Sequence, residues 1–135
     1  MKKKSIFFLI LLTGFFLSVL SGLSSCRKTE PEAESIIGAW SRKQTFETDT
    51  IGVLLTFTGD HILRWEPLDS GSGHTKSEVQ YMLAGNRFYI TNDIQCNSEA
   101  KYGYIINDKT LTLNPLTDSC APRRVALSGD WDAVE

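Results

Sequence analysis

The ten residues Tyr81-Met82-Leu83-Ala84-Gly85-Asn86-Arg87-Phe88-Tyr89-Ile90 align without gaps on Tyr104-Ile105-Ile106-Asn107-Asp108-Lys109-Thr110-Leu111-Thr112-Leu113. The two stretches are 23 residues apart, and each has the pattern of strand, tight turn, strand. The turn residues, Gly85-Asn86 and Asn107-Asp108, are types that tolerate the positive φ of hairpin turns. A weaker third copy covers residues 55–64. The repeat therefore predicts three hairpins and six strands.

Two further strands are predicted at the ends of the repeated region. Residues 40–46 precede the first hairpin and residues 123–128 follow the last one. The pattern predicts eight short antiparallel strands, with no convincing amphipathic helix beyond the N-terminal region. Because closing such a meander removes both exposed edges, we predict an all-β domain that forms an eight-stranded antiparallel up-and-down barrel.

Alternation of apolar and polar residues assigns one face of each strand to the core. The predicted inward set is Val53, Leu55, Phe57, Ile62, Val79, Tyr81, Leu83, Phe88, Ile90, Tyr102, Tyr104, Ile106, Leu111, Leu113, Val125 and Leu127. The same parity places Arg64 on the inner face and puts Leu63 and Trp65 on the outer face. A barrel of eight strands is either filled by its side chains or holds one small ligand. The many large aromatic residues predict a mostly filled interior.

The N-terminal region resembles a bacterial lipoprotein signal. Lys2, Lys3 and Lys4 precede an apolar run over residues 6–20, and small residues lead to Cys26. The alternative, a retained membrane helix, is disfavoured because the run has 15 residues and a spanning helix needs about 20. We predict a signal peptide over residues 1–25, a lipidated Cys26 with a polar tether over residues 26–35, and a barrel domain over residues 36–135.

This signal implies a lipid-anchored protein of the bacterial cell envelope. We expect the lipid on Cys26 to anchor it to a membrane, and the outer membrane is the expected one. The tether carries Glu30, Glu32 and Glu34. Its acidic character resembles the signals with which Bacteroidetes-type bacteria send lipoproteins to the cell surface. A simple polar linker is the alternative, so periplasmic and surface-exposed locations both stay open.

The charge of the mature chain argues against nucleic-acid binding. Removal of residues 1–25 leaves 11 of the 14 basic residues and all 16 acidic ones, a net charge of −5. Such a domain lacks the cationic surface that neutralises phosphates. With 110 residues, the mature chain is expected to form one domain with a modest core.

Cys96 and Cys120 are predicted to form a disulfide. The envelope is oxidising, and once Cys26 is lipidated these two thiols remain as an even pair. They also lie almost symmetrically about the turn Asn107-Asp108, so the hairpin would bring them together. A redox or metal-binding role is disfavoured, because there is no Cys-x-x-Cys motif and only His61 and His74 offer imidazole groups.

The barrel region, from about Ile36 to Trp131, resembles the small bacterial lipocalin-like proteins of the calycin group. The resemblance rests on Gly38-Ala39-Trp40, the Phe57 and Gly59-Asp60 turn, the tyrosine-led hairpins, Asp118-Ser119-Cys120 with Arg123-Arg124, and Gly129-Asp130-Trp131. It implies that Trp40 closes the barrel floor and that Arg123 or Arg124 packs across it in a cation–π contact. The Thr-Asp-Tyr motif of typical lipocalins is absent from this chain.

Two classes of function fit these observations. In the first, the barrel binds a small apolar or amphipathic molecule at its open end, with Arg64 as the charged contact and Tyr81, Phe88, Tyr102 and Tyr104 as the aromatic lining. In the second, a filled barrel acts as a protein interaction module or envelope inhibitor. Because no motif combines a nucleophile with a base, we expect no catalytic residues and no enzyme activity, and we expect neither a metal nor a cofactor.

Overall fold

The structure is a computed structural model that describes residues 35–47 and 49–135. The predicted signal peptide, Cys26 and nearly all of the tether lie outside the described residues. The elements are β1 (Gly38–Thr45), β2 (Thr50–Phe57), β3 (Ile62–Pro67), β4 (Ser77–Ala84), β5 (Arg87–Asn92), β6 (Ala100–Asn107), β7 (Thr110–Asp118), helix α1 (Ala121–Leu127) and β8 (Gly129–Ala133).

The eight strands form a closed barrel in which every strand pairs with its neighbours in the sequence. All pairs are antiparallel, and β1 closes the barrel by pairing with β8 at Trp40↔Ala133 and Ser41↔Asp132. This arrangement confirms the predicted eight-stranded up-and-down barrel and is consistent with a lipocalin-like fold. Closure leaves neither the first nor the last strand as a free edge.

The two repeated hairpins form as predicted, with one shift in a turn. Gly85 and Asn86 connect β4 to β5, and Gly85 has a φ of 60°. In the second hairpin the connecting residues are Asp108 and Lys109, one position later than predicted, and Asp108 has a φ of 52°. The two turns therefore have the same structure, because Asp108 occupies the turn position that Gly85 occupies in the first hairpin.

The third hairpin differs, and this difference reverses the faces of β3. Four residues, 58–61, connect β2 to β3, and His61 takes a positive φ of 66°. Phe57 consequently pairs with Leu63 and not with Ile62. A shift of one residue turns every side chain of a strand to the other face. The predicted parity of β3 is therefore wrong: Leu63 and Trp65 are buried inside, and Arg64 lies outside.

The predicted last strand is also wrong. Residues 121–127 form helix α1, with Pro122 in its first turn, where a missing N–H is harmless. The eighth strand follows as β8. Arg123 and Leu127, four residues apart, form the buried face of the helix, while Val125 is 58% exposed. The expectation of an inward Val125 is thus incorrect, whereas Leu127 does belong to the core.

The barrel has two unlike ends. Three short connections, at residues 58–61, 85–86 and 108–109, lie at the end where β1 begins, which we call the closed end. The β1–β2, β3–β4 and β5–β6 connections and α1 lie at the other end, which we call the open end. Between them lies one apolar core of buried side chains contributed by all eight strands and by α1.

Aromatic side chains fill the interior towards the closed end. Phe57 packs edge-on against Tyr81 and Phe88, with ring centroids 5.3 and 5.2 Å apart. Phe88 also stacks on Tyr102 at 5.2 Å. The Tyr81 hydroxyl donates a hydrogen bond to the carbonyl oxygen of Thr58 at 2.8 Å, so its polar end is satisfied. We call Phe57, Tyr81, Phe88 and Tyr102 the aromatic cluster.

Candidate ligand-binding cavity

A cavity of about 810 Å³ opens at the open end of the barrel. Connections from that end surround it: Phe46 follows β1, residues 73–76 join β3 to β4, residues 93–96 follow β5, and α1 covers another side. The inner part is apolar and includes Leu63, Ile90 and Leu127, all of them buried. A volume of this size lies within the range of pockets that hold small molecules.

One wall of the cavity is aromatic. Trp65 extends inward from β3, and Phe46 and His74 from two connections of the open end pack against it. The Phe46 ring contacts Trp65 edge-on with centroids 6.4 Å apart, and His74 does so at 6.5 Å. Phe46 and His74 stack on each other at 4.1 Å. We call these three residues the aromatic wall.

The side of the cavity formed by α1 contains a buried ion network. The Arg123 guanidinium donates to both carboxylate oxygens of Asp118, at 2.9 and 2.7 Å, and to Asp93 Oδ2 at 2.8 Å. It also donates to the backbone oxygens of Ser98 and Glu99. Arg123 thereby joins α1 to the β5–β6 connection. Its charge is neutralised by the two carboxylates and is not available to a ligand as a free cation.

Burial by itself would raise the pKa of Asp118, because a charge is poorly solvated away from water. The hydrogen bonds from Arg123 and from the Tyr102 hydroxyl outweigh this effect, and they lower the pKa of Asp118 below its ordinary value. Burial, followed by the nearby Asp118, raises the pKa of Tyr102. Asp118 is therefore held as a carboxylate and Tyr102 as a neutral donor.

The disulfide between Cys96 and Cys120 reinforces the same side of the cavity. The two Cα atoms lie 5.7 Å apart, and the bridge closes a segment with a sequence separation of 24. Asp93 Oδ1 accepts from the Cys96 N–H, and Asp118 Oδ1 accepts from the Cys120 N–H. The structure confirms the predicted disulfide, which ties the β5–β6 connection to the segment that leads into α1.

Arg64, the predicted charged contact, does not line the cavity. Its side chain is 40% exposed on the outside of the barrel, where Nε lies 3.0 Å from Glu78 Oε1. The four aromatic residues predicted as lining are also absent from the cavity wall. Tyr81, Phe88 and Tyr102 belong to the aromatic cluster, and Tyr104 donates to the Gly85 carbonyl oxygen in the closed-end turn at 3.1 Å.

The expected contact between Trp40 and a basic residue takes a different form. Trp40 lies at the seam between β1 and β8, and its Nε1 donates to the Ile36 carbonyl oxygen at 2.9 Å. Arg123 binds carboxylates, and Arg124 donates to the Asp118 carbonyl oxygen. The cation–π contact is instead between Arg42, on β1, and Trp131, on β8, at 4.0 Å. The lipocalin resemblance implies a tryptophan from the first strand and a basic residue from the last strand. In the structure the arginine comes from the first strand and the tryptophan from the last.

Sequence reasoning missed the aromatic wall. The sequence predicts an outward Trp65 because the third repeat copy implies a two-residue turn at Gly59-Asp60, before β3. A connection of four residues over 58–61 gives the correct face to Trp65. In that connection the Thr58 hydroxyl accepts the Ile62 N–H at 3.0 Å, a contact typical of residues that stabilise loops. No local sequence signal brings Phe46 and His74 together, since they lie in separate connections.

Comparisons with protein-family models, with curated proteins and with solved structures found no match to this chain. Within residues 35–47 and 49–135, no group of three or more His, Cys, Asp or Glu side chains is placed to hold a metal ion. In the same part of the chain, none of the helical structure has the length and apolar character needed to cross a membrane.

Proposed function

We propose that this protein is a lipid-anchored component of a bacterial envelope, of the lipocalin-like kind, whose barrel binds a small apolar or amphipathic molecule in the open-end cavity. The observation that carries the proposal is the cavity itself, about 810 Å³ in volume, with Leu63, Ile90 and Leu127 in its inner part. Burial of an apolar ligand against these side chains supplies the main favourable free energy of binding.

The position of the chain's entry into the barrel supports an anchor that leaves the cavity accessible. Ile36 and Ile37 lead directly into β1 at the closed end, away from the cavity. A tether that starts at a lipidated Cys26 therefore attaches at the end opposite the ligand site. The signal-like sequence before Cys26 supports the anchor itself.

The alternative class, a protein interaction module with a filled barrel, receives less support. Only the part of the interior occupied by the aromatic cluster is filled, and the open end keeps its cavity. Met82 and Ile105 are exposed apolar residues on the outer face, but exposed apolar side chains are ordinary on folded domains. The cavity therefore favours the ligand-binding class.

Native mass spectrometry of the protein, purified from the envelope of its own host, tests the ligand. We expect a retained mass of a small apolar or amphipathic compound. A Val79→Trp variant should lose that mass, because Val79 lines the cavity and a larger side chain fills it. Met82→Trp is the matched control, since Met82 is exposed on the outer face. A protein partner with no small molecule, or equal retention by both variants, would contradict the proposal.

The anchor is tested separately with Cys26→Ala. We expect the wild-type chain to carry acyl mass at Cys26 and to partition with membranes, and we expect the variant to lose processing and lipidation. A wild-type protein without acyl mass would rule out the lipoprotein assignment and leave the cavity proposal standing.

A further inference from the structure

The three tryptophans of the chain differ in whether the indole N–H has a hydrogen-bond acceptor. Trp40 Nε1 donates to the Ile36 carbonyl oxygen and Trp131 Nε1 to the Leu127 carbonyl oxygen, each at 2.9 Å. Trp65 Nε1 is buried and has no hydrogen-bond partner within residues 35–47 and 49–135. A buried indole N–H usually has an acceptor, because leaving it unpaired costs free energy. The unpaired donor is the one that belongs to the cavity wall.

The charged groups of the cavity, like the unpaired indole N–H, favour a ligand that accepts hydrogen bonds. Four charged residues contribute to its lining, namely Lys76, Glu78, Asp93 and Arg123. Asp93 pairs with Arg123, and Glu78 pairs with Arg64 on the outside of the barrel. Among the described residues, Lys76 forms no ion pair and is exposed, so the exposed lining residues include a free cation, whereas both carboxylates are paired. The groups without a partner are therefore the indole N–H of Trp65 and the ammonium group of Lys76.

We propose that Trp65 Nε1 is the specificity-determining donor of the cavity and that the preferred ligand is an apolar molecule with an anionic hydrogen-bond acceptor, such as a carboxylate. This inference rests on the proposed function. The acceptor binds the indole N–H and lies on the Lys76 side of the cavity, while the apolar body packs against Leu63 and Ile90. An ionised acceptor is favoured over a neutral one because a charge-assisted hydrogen bond is stronger.

The aromatic wall provides the route to this donor. Trp65 itself is fixed in β3, but Phe46 and His74 belong to connections between strands. Both pack against the Trp65 ring. A displacement of these two side chains towards the mouth of the cavity exposes the indole N–H to a ligand. The donor is therefore presented only when a ligand has entered far enough to displace them.

The test compares ligands that share one apolar chain and differ in the head group. The full chain in phosphatidylcholine nanodiscs is titrated with octanoate, with octanol and with octyltrimethylammonium, which offers no acceptor. We expect octanoate to bind most tightly. In a protein labelled with ¹⁵N-tryptophan, octanoate should move the Trp65 indole resonance and leave those of Trp40 and Trp131 in place.

Trp65→Phe keeps an aromatic ring, although a smaller one, and removes the donor. We expect it to weaken octanoate binding about tenfold more than octyltrimethylammonium binding, because only octanoate loses a hydrogen bond. Trp40→Phe is the control, because it removes an indole N–H near the seam of the barrel, outside the cavity wall. Lys76→Met should weaken octanoate binding severalfold more than octanol binding.

The outcomes separate this inference from the proposed function. Equal binding of octanoate and octyltrimethylammonium, or an unshifted Trp65 resonance with octanoate bound, overturns the role of Trp65 while the cavity remains a ligand site. Binding of none of the three probes overturns both. The resonance measurement uses the wild-type chain, so the proposal stays falsifiable even where Trp65→Phe fails to fold.

Discussion

At the closed end of the barrel the strands are joined by connections of two to four residues and the aromatic cluster fills the interior, whereas at the open end connections of four to ten residues surround the cavity. The closed end is stabilised mainly by apolar packing. At the open end a disulfide and the ion network of Arg123 link the connections in addition to apolar packing. Covalent and ionic links thus hold the connections around a part of the interior that side chains do not fill.

The largest effect is expected from removing an aromatic ring at the closed end. Phe88 is fully buried and contacts Phe57, Tyr81 and Tyr102. Phe88→Ala should lower the free energy of unfolding by about 3–5 kcal/mol, because it removes the transfer free energy of the ring and leaves a cavity. Urea denaturation measures this loss. A cost below about 1 kcal/mol would show that packing does not hold the closed end.

A slightly smaller effect is expected from the ion network at the open end. Arg123→Met leaves Asp93 and Asp118 without their cation and should destabilise the protein by about 3 kcal/mol. Urea denaturation at pH 7 gives the measurement. An unfolding free energy equal to that of the wild type would mean that the network is not needed.

Loss of the disulfide tests the covalent link alone. The double variant Cys96→Ser with Cys120→Ser should be less stable by about 2–3 kcal/mol, since the bridge no longer restricts the unfolded chain. The Arg123 bonds tie the same connections, so we expect the folded barrel to persist. Denaturation with and without reductant, read by circular dichroism, distinguishes the bridge from the substitution itself. An unfolding free energy of the wild-type protein that is the same with and without reductant would contradict this expectation.

The fold was predictable from the sequence wherever the turns were short. In the hairpins over 81–90 and 104–113 a two-residue turn fixes which residues face each other, so the alternation of apolar residues identifies the inner face. Before β3 the turn has four residues and not two. The register that a two-residue turn implies places Trp65 outside and Arg64 inside, which is the reverse of the structure. Residues 123–128 alternate like a strand, but Pro122 and the spacing of Arg123 and Leu127 suit the helix that forms.

The candidate site was less predictable than the fold. The disulfide between Cys96 and Cys120 was predictable because two features of the sequence suffice for it. These are the signal for an expected oxidising compartment and the symmetric position of the two cysteines about one hairpin. The ion pairs of Arg123 depend on Asp93, which is 30 residues away, and the aromatic wall depends on Phe46, Trp65 and His74 from three separate segments. Such contacts are decided by the three-dimensional path of the connections. Periodicity within one strand carries no record of them.

Acidification should weaken the open end before the closed end. The pKa of Asp118 is lower in the folded protein than its ordinary value of about 3.9. The folded state therefore gains stability from the carboxylate above that ordinary value, and the gain is lost as the pH falls through the folded pKa. Denaturation curves between pH 7 and pH 2 should show this loss in the wild type and a smaller one in Asp118→Asn. Parallel curves for both proteins would contradict the assignment.

The smallest effect is expected from Arg64, which serves as the matched control for Arg123. Both arginines pair with a carboxylate, but Arg64 and Glu78 have side chains that are 40% and 51% exposed, whereas Arg123 and Asp118 are buried. Water screens the exposed pair, so Arg64→Met should change the unfolding free energy by less than about 0.5 kcal/mol. Ligand retention should also be unchanged, because Arg64 lies outside the cavity wall. If Arg64→Met destabilised the protein as much as Arg123→Met, charge alone and not burial would explain how the open end is held, and the contrast between the two ends of the barrel would fail.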